Sequence, residues 1–130
     1  MKELLALARQ AREHAYAPYS GYSMGAAIRD VAGNVWTGCN VENVSYGVTL
    51  CAERVAIGKM VSSGQTAISE VAVSTRDGGT PCGICLQTLL EFSDDPSQVM
   101  VAIASDSGVV ERHVLSALIP FGFRSNLKRT

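Results

Sequence analysis

Long apolar runs are missing from this chain, and no stretch approaches the length needed to cross a bilayer. Residues 1–10 are charged and amphipathic, without the apolar core and small-residue cleavage site of a secretory leader. An excess of one charge is missing too: 11 Lys and Arg stand against 12 Asp and Glu, for a net charge of −1. With no basic stretch to track a phosphate backbone, neither nucleic acid nor a membrane surface is an expected partner. A small, weakly charged ligand is expected instead. Aromatics are few, at 6%, and repeats, linkers and low-complexity segments are absent. Cysteine is limited to four residues. A cytoplasmic location is expected, where disulfides are rare and a Cys-x-x-Cys spacing points to metal or redox chemistry.

What remains is 130 residues of ordinary globular composition. That is one domain, residues 1–130, able to bury roughly two thirds of its unfolded surface. Leu4, Leu5, Ala8, Ala11 and Ala15 recur at helical spacing and predict a helix over residues 3–15. Strands are predicted over 24–29 and 35–39, joined by the turn residues Asp30-Val31-Ala32-Gly33-Asn34. A polar connection over 40–50 precedes a mostly apolar helix over 51–62, which Gly64 stops. Val71 and Val73 mark a third strand. A helix from Cys82, strands over 99–104 and 109–112, and a short helix near 114–118 complete the order. It suggests a three-layer α/β/α sandwich around a five-stranded mixed sheet.

The chemistry lies in two short segments. Cys51-Ala52-Glu53 is followed, 31 residues after Cys51, by Pro81-Cys82-Gly83-Ile84-Cys85. Three thiolates and one carboxylate match a catalytic zinc centre, which keeps three protein ligands and leaves a fourth position to water. Cys82 and Cys85, three apart on a first helical turn, share one face, and Gly83 keeps bulk away. Cys51 and Glu53 are two apart and diverge in mid-helix. They converge only if Cys51 stands at the very start of its helix, where side chains lean toward the N-terminus. Two helix starts, each worth about +0.5 charge, together with Arg54 would offset the surplus negative charge of three thiolates on Zn²⁺. Two other readings stay open: a redox dithiol at Cys82 and Cys85, or structural zinc, which needs a fourth ligand. His14 and His113 are expected at or near the surface, and Cys39 as a buried small residue.

These segments resemble the zinc nucleobase and nucleoside deaminases, and within them the small homotetrameric cytidine deaminases. The resemblance extends over most of the chain. It is carried by Tyr16-Ala17-Pro18-Tyr19-Ser20, Gly25-Ala26-Ala27, Gly38-Cys39-Asn40-Val41-Glu42-Asn43, Ser45-Tyr46-Gly47, Cys51-Ala52-Glu53-Arg54 and Pro81-Cys82-Gly83. It implies one Zn²⁺ per subunit on Cys51, Cys82 and Cys85. Glu53 would move a proton from water to ring N3 and assist the departing ammonia. Asn40 and Glu42 would bind the ribose 3′-hydroxyl, and the Ala52 N–H the pyrimidine O2. Tyr46 and Tyr22 would line the substrate site. Phe123, or alternatively Phe121, would be lent to a neighbouring subunit's pocket. Without the resemblance, Asn40 and Glu42 read as a loop stapled by its own hydrogen bonds, and the aromatics as core or interface.

The reaction implied is hydrolysis of cytidine and 2′-deoxycytidine to uridine and 2′-deoxyuridine, in pyrimidine salvage. Rival readings are a related deaminase acting on a nucleoside antibiotic of the blasticidin type and a non-catalytic zinc or nucleoside-binding module. Intact Asn40, Glu42 and Glu53 speak against both. Editing of a polynucleotide has no basic groove to support it. Two positions depart from the family pattern. Leu86 replaces an arginine beside the thiols, leaving Arg54 and the helix ends to balance the charge, and Tyr22 replaces a phenylalanine.

Overall fold

A computed structural model describes residues 1–125. Its elements, in chain order, are α1 (Lys2–Arg12), β1 (Gly25–Asp30), β2 (Val35–Cys39), α2 (Ala52–Ser62), β3 (Ile68–Ser74), α3 (Gly83–Glu91), β4 (Met100–Ala104), β5 (Val110–Val114) and α4 (Leu115–Leu118). The strands form one sheet in the order β2-β1-β3-β4-β5. Only β3 and β4 run parallel, with α3 in the connection between them. The mixed five-stranded sheet between helical layers is the expected architecture.

Strand alternation assigns the two faces. Ile28, Val71 and Val101 are in register across three strands and join Ala56, Ile57 and Met60 of α2 and Leu86 and Leu89 of α3 in the larger core. Their neighbours Ala27 and Ala72 face the other way, beneath Leu4 and Ala8 of α1. The small residues on this side let α1 lie close to the sheet. A Cβ on Gly25 would sit 2.0 Å from the carbonyl oxygen of Ala8.

Helix α1 ends at Arg12, three residues before its apolar spacing does. The N–H groups of Glu13, His14 and Ala15 bond back to Gln10, Ala11 and Arg12, so the chain tightens from four-residue to three-residue bonding. The β1–β2 turn is built on Asp30, which is buried and accepts from Trp36 Nε1 at 2.9 Å and from the backbone N–H groups of Ala32 and Asn34. Burial opposes its ionisation, yet the Trp36 and Asn34 donors outweigh that and hold the carboxyl below its ordinary range. Cys39 is half-buried at the end of β2 rather than fully buried, because the last residue of the outermost strand is covered on one side only.

The contact that positions the site is made at Gly38. The first turn of α2 presses so closely on β2 that a Cβ there would lie 2.5 Å from the Ala52 carbonyl oxygen and 2.8 Å from the Ala56 nitrogen. Both neighbours are backbone, so neither can swing aside. Gly38→Ala is expected to destabilise the fold by about 1–3 kcal/mol, the usual cost of overpacking. A fall in the urea midpoint at unchanged slope measures it.

Candidate metal centre and substrate site

Cys51 and Cys82 are both N-cap residues, with extended backbone at φ −76° and φ −69° immediately before α2 and α3. Each carbonyl already takes part in its helix: Cys51 O accepts from Val55 N at 3.2 Å, and Cys82 O from Leu86 N at 2.9 Å. Neither side chain caps its own helix. A sulfur therefore stands where serine or aspartate oxygen normally would, beside helix-start N–H groups that lack intrahelical acceptors. Cys85 is the third residue of α3, so Cys82 and Cys85 occupy the two positions that face each other in a capping box. Their sulfurs are 3.6 Å apart.

The Sγ atoms of Cys51, Cys82 and Cys85 all lie within 4.8 Å of one another. Tetrahedral Zn–S bonds of about 2.3 Å place sulfurs roughly 3.8 Å apart, so the cluster needs only small adjustment to hold the ion. Three soft donors select zinc over magnesium or calcium. The buried Cys85 lies deepest, Cys51 is half-buried and Cys82 is exposed. Hydrogen bonding from the Cys85 thiol, opposed by burial and supported by Arg54, holds the Cys51 thiol below its ordinary range. Cys85 moves up, because its proton is held by the Cys51 sulfur and by burial. One sulfur of the pair is thus readily ionised, and bound metal would displace the proton from the other.

Arg54 reaches the cluster from α2. Its Nη2 donates to the Thr49 carbonyl at 2.9 Å and lies 4.0 Å from Cys51 Sγ. Leu86 packs into the core between α2 and α3 and brings no charge to the sulfurs. Glu53, the second residue of α2, is fully buried, and neither carboxyl oxygen has a hydrogen-bond partner among the described residues. Burial pushes its carboxyl above the ordinary range and outweighs the lowering effect of the nearby Cys85 thiol, while the Cys51 sulfur adds to the rise. A carboxyl isolated beside three thiols costs stability unless something polar occupies the space between them. Together with the sulfur geometry, this makes Cys51, Cys82 and Cys85 a fitting metal site with an acid–base group beside it.

The polar connection after β2 forms a second wall. Glu42 Oε1 accepts from the backbone N–H groups of Tyr19 at 2.9 Å and Ser20 at 3.1 Å, and Oε2 accepts from Ser20 Oγ. The Ser20 hydroxyl and these backbone donors hold the carboxyl below its ordinary range. A cavity of about 280 Å³ opens here, lined by Tyr19, Ser20, Glu42, Tyr46 and Thr49. Asn40 is buried, with Oδ1 accepting from Met24 N and Nδ2 donating to Tyr22 O, both at 2.8 Å. These bonds leave its second Nδ2 hydrogen available. Ala52 opens α2, so its N–H has no acceptor within the helix.

Tyr22 bonds to Asp77 through its hydroxyl, and the Arg76 guanidinium lies 5.0 Å from its ring centre. The Phe123 backbone exchanges two bonds with the Gln87 side chain, at 2.8 and 3.0 Å, while the residue as a whole is 76% exposed. Gly122 fits against α3 where a Cβ would lie 2.4 Å from Leu90 Cδ2. The tail backbone is fixed while the Phe123 ring stands free. Sequence reasoning overlooked Tyr19, Ser20 and Thr49. Ser20 bore a signal, as a hydroxyl beside a conformationally free glycine, but its pairing with Glu42 spans 22 residues.

The profile of the cytidine and deoxycytidylate deaminase zinc-binding region matches residues 1–102. Cytidine deaminase of Sporosarcina psychrophila is 37% identical over 125 residues, covering 95% of this chain and 90% of the relative. That of Halalkalibacterium halodurans is 39% identical over 122 residues, covering 92% and 91%. The crystal structure of cytidine deaminase from Burkholderia pseudomallei superposes with a TM-score of 0.88 at 36% identity, over 94% of this chain and 98% of that one. Replacing Cys82 by Ala is expected to lower bound zinc from one equivalent to near zero and to lower the melting temperature, as read by elemental analysis and calorimetry.

Proposed function

The chain belongs to the cytidine and deoxycytidylate deaminase family, and on that premise we propose how its residues hydrolyse cytidine and 2′-deoxycytidine to uridine and 2′-deoxyuridine with release of ammonia (EC 3.5.4.5). The observation that carries this reading is the unpartnered, buried Glu53 carboxyl beside three convergent thiols. Cys51, Cys82 and Cys85 hold one zinc. When bound, the ion supplies Lewis acidity that makes water a competent nucleophile near neutral pH.

Glu53 performs the proton transfers. Through a carboxyl oxygen it accepts the proton shed by the attacking water and delivers it to ring N3 as the C4–O bond forms. It then takes the proton of the new C4 hydroxyl and gives it to the amine, so that ammonia leaves as the C4–N bond breaks and the C4 carbonyl forms. The N–H of Ala52 at the start of α2 donates to the pyrimidine O2.

Glu42 and the remaining Nδ2 hydrogen of Asn40 bind the ribose 3′-hydroxyl, one accepting and the other donating. Ser20 and Tyr19 keep the Glu42 carboxylate oriented for this role. Tyr46 supplies a wall of the sugar cavity, and the Tyr22 ring borders the base. The exposed Phe123 ring enters a neighbouring subunit's pocket, in a homotetramer whose sites are completed across interfaces. Cysteines committed to a metal ion suit a reducing, cytoplasmic setting, where disulfides are rare. No described helix is long and apolar enough to span a membrane.

Two substitutions test these assignments. Glu53→Gln is expected to keep its zinc while turnover falls by about 10²–10⁴-fold, followed as loss of cytidine absorbance. Retained turnover would remove Glu53 from the mechanism. Phe123→Ala is expected to raise the KM for cytidine in steady-state assays, and an unchanged KM would exclude Phe123 from the pocket.

A further inference from the structure

Residues 75–81 carry the chain from β3 to Cys82, and one side chain from another part of the fold fastens them. Tyr22 Oη donates to Asp77 Oδ1, which also accepts from Gly79 N at 3.2 Å. Thr75 Oγ1 accepts from the N–H groups of Gly78 and Gly79, at 2.9 and 3.1 Å, and lies 3.4 Å from the same Asp77 oxygen. The loop leaves room for the phenol. Gly78 has φ +74°, and a Cβ on Gly79 would sit 3.1 Å from Tyr22 Oη. The Arg76 guanidinium lies over the Tyr22 ring.

The other end of Tyr22 is tied to the nucleoside-binding segment. Its carbonyl accepts from Asn40 Nδ2 at 2.8 Å, and its N–H donates to Ser20 Oγ at 3.0 Å. That same Ser20 hydroxyl holds Glu42. One residue thus bridges the wall bearing Asn40 and Glu42 and the loop that delivers Cys82 and, one turn later, Cys85. A phenylalanine ring could fill the same space, but it would leave Asp77 with donors only from its own loop.

We propose that Tyr22 is a positioning residue, whose hydroxyl bond to Asp77 holds the metal-bearing loop in register with the Asn40–Glu42 wall. This rests on the zinc and nucleoside assignments above. The polarity of the bond agrees with it. Burial first, and then the bond to Asp77, raise the phenol above its usual range, while that bond lowers the Asp77 carboxyl, so a neutral phenol donates to a carboxylate at neutral pH.

The test is the rate at which zinc-loaded protein gives up its metal to a competing chelator, with no substrate present. Tyr22→Phe and Asp77→Ala are each expected to release zinc several-fold faster, less than the roughly 10–100-fold contributed by direct hydrogen-bond partners of metal ligands, because Asp77 acts through the loop backbone. The double substitution should be no faster than Asp77→Ala alone, in which the Tyr22 bond is already lost. Asp77→Asn, whose amide oxygen still accepts, should behave like the parent. Cobalt-loaded Tyr22→Phe should show a shifted visible band, and its zinc form a KM for cytidine raised several-fold.

Zinc held equally long by Tyr22→Phe, or effects of the two single substitutions that multiply, would overturn the role of Tyr22. An unshifted cobalt band or an unchanged KM would do the same. A parent protein that binds no zinc would instead overturn the metal assignment on which it rests.

Discussion

The first turn of α2 lies directly on the backbone of β2, and that contact exists because Gly38 has no side chain. With the two backbones this close, the main chain bearing Cys51 and Glu53 is held against the sheet. Glu53 is then buried beside the sulfurs, and Arg54 is directed at Cys51. The helix interior packs Ala56, Ile57 and Met60 against the sheet to hold the contact in place. A looser seating would let water reach the carboxyl, and its elevated pKa would relax toward that of an ordinary exposed glutamate.

Sulfur takes the place of oxygen at two helix starts. An oxygen cap would have satisfied an N–H of its own helix. The thiols of Cys51 and Cys82 leave those groups uncapped and turn toward one another. The partial positive charge of both helices thereby acts on the cluster. This offsets the charge of three thiolates without drawing on the position occupied by Leu86. That residue instead contributes apolar burial to the core, so Arg54 is the only cation bonded to a cluster sulfur among the described residues.

The site's chemistry was legible because it is local. A spacing of three puts Cys85 on the same helix face as Cys82, and the N-cap position of Cys51 lets Glu53 approach it despite a spacing of two. The sheet was legible from alternation, apart from shifts of a residue or two at strand ends. Helix α1 was read too long because apolar periodicity continues to Ala15, whereas hydrogen bonding changes pitch after Arg12. The bond from Tyr22 to Asp77 spans 55 residues and follows no periodic pattern. The close approach at Gly38 was equally hidden, since a glycine in a strand does not say which backbone it faces.

Cys51 and Cys82 are separated by 31 positions, and the strand carrying the chain between them belongs to the sheet's single parallel pairing. In an unfolded chain, drawing those two thiols onto one ion would close a loop at an entropic cost of about 3 kcal/mol. In the finished domain, α2 and α3 have already brought them together. Metal loading therefore favours a mature polypeptide over a nascent one. An ion delivered after the crossover has docked meets donors that no longer have to search for each other.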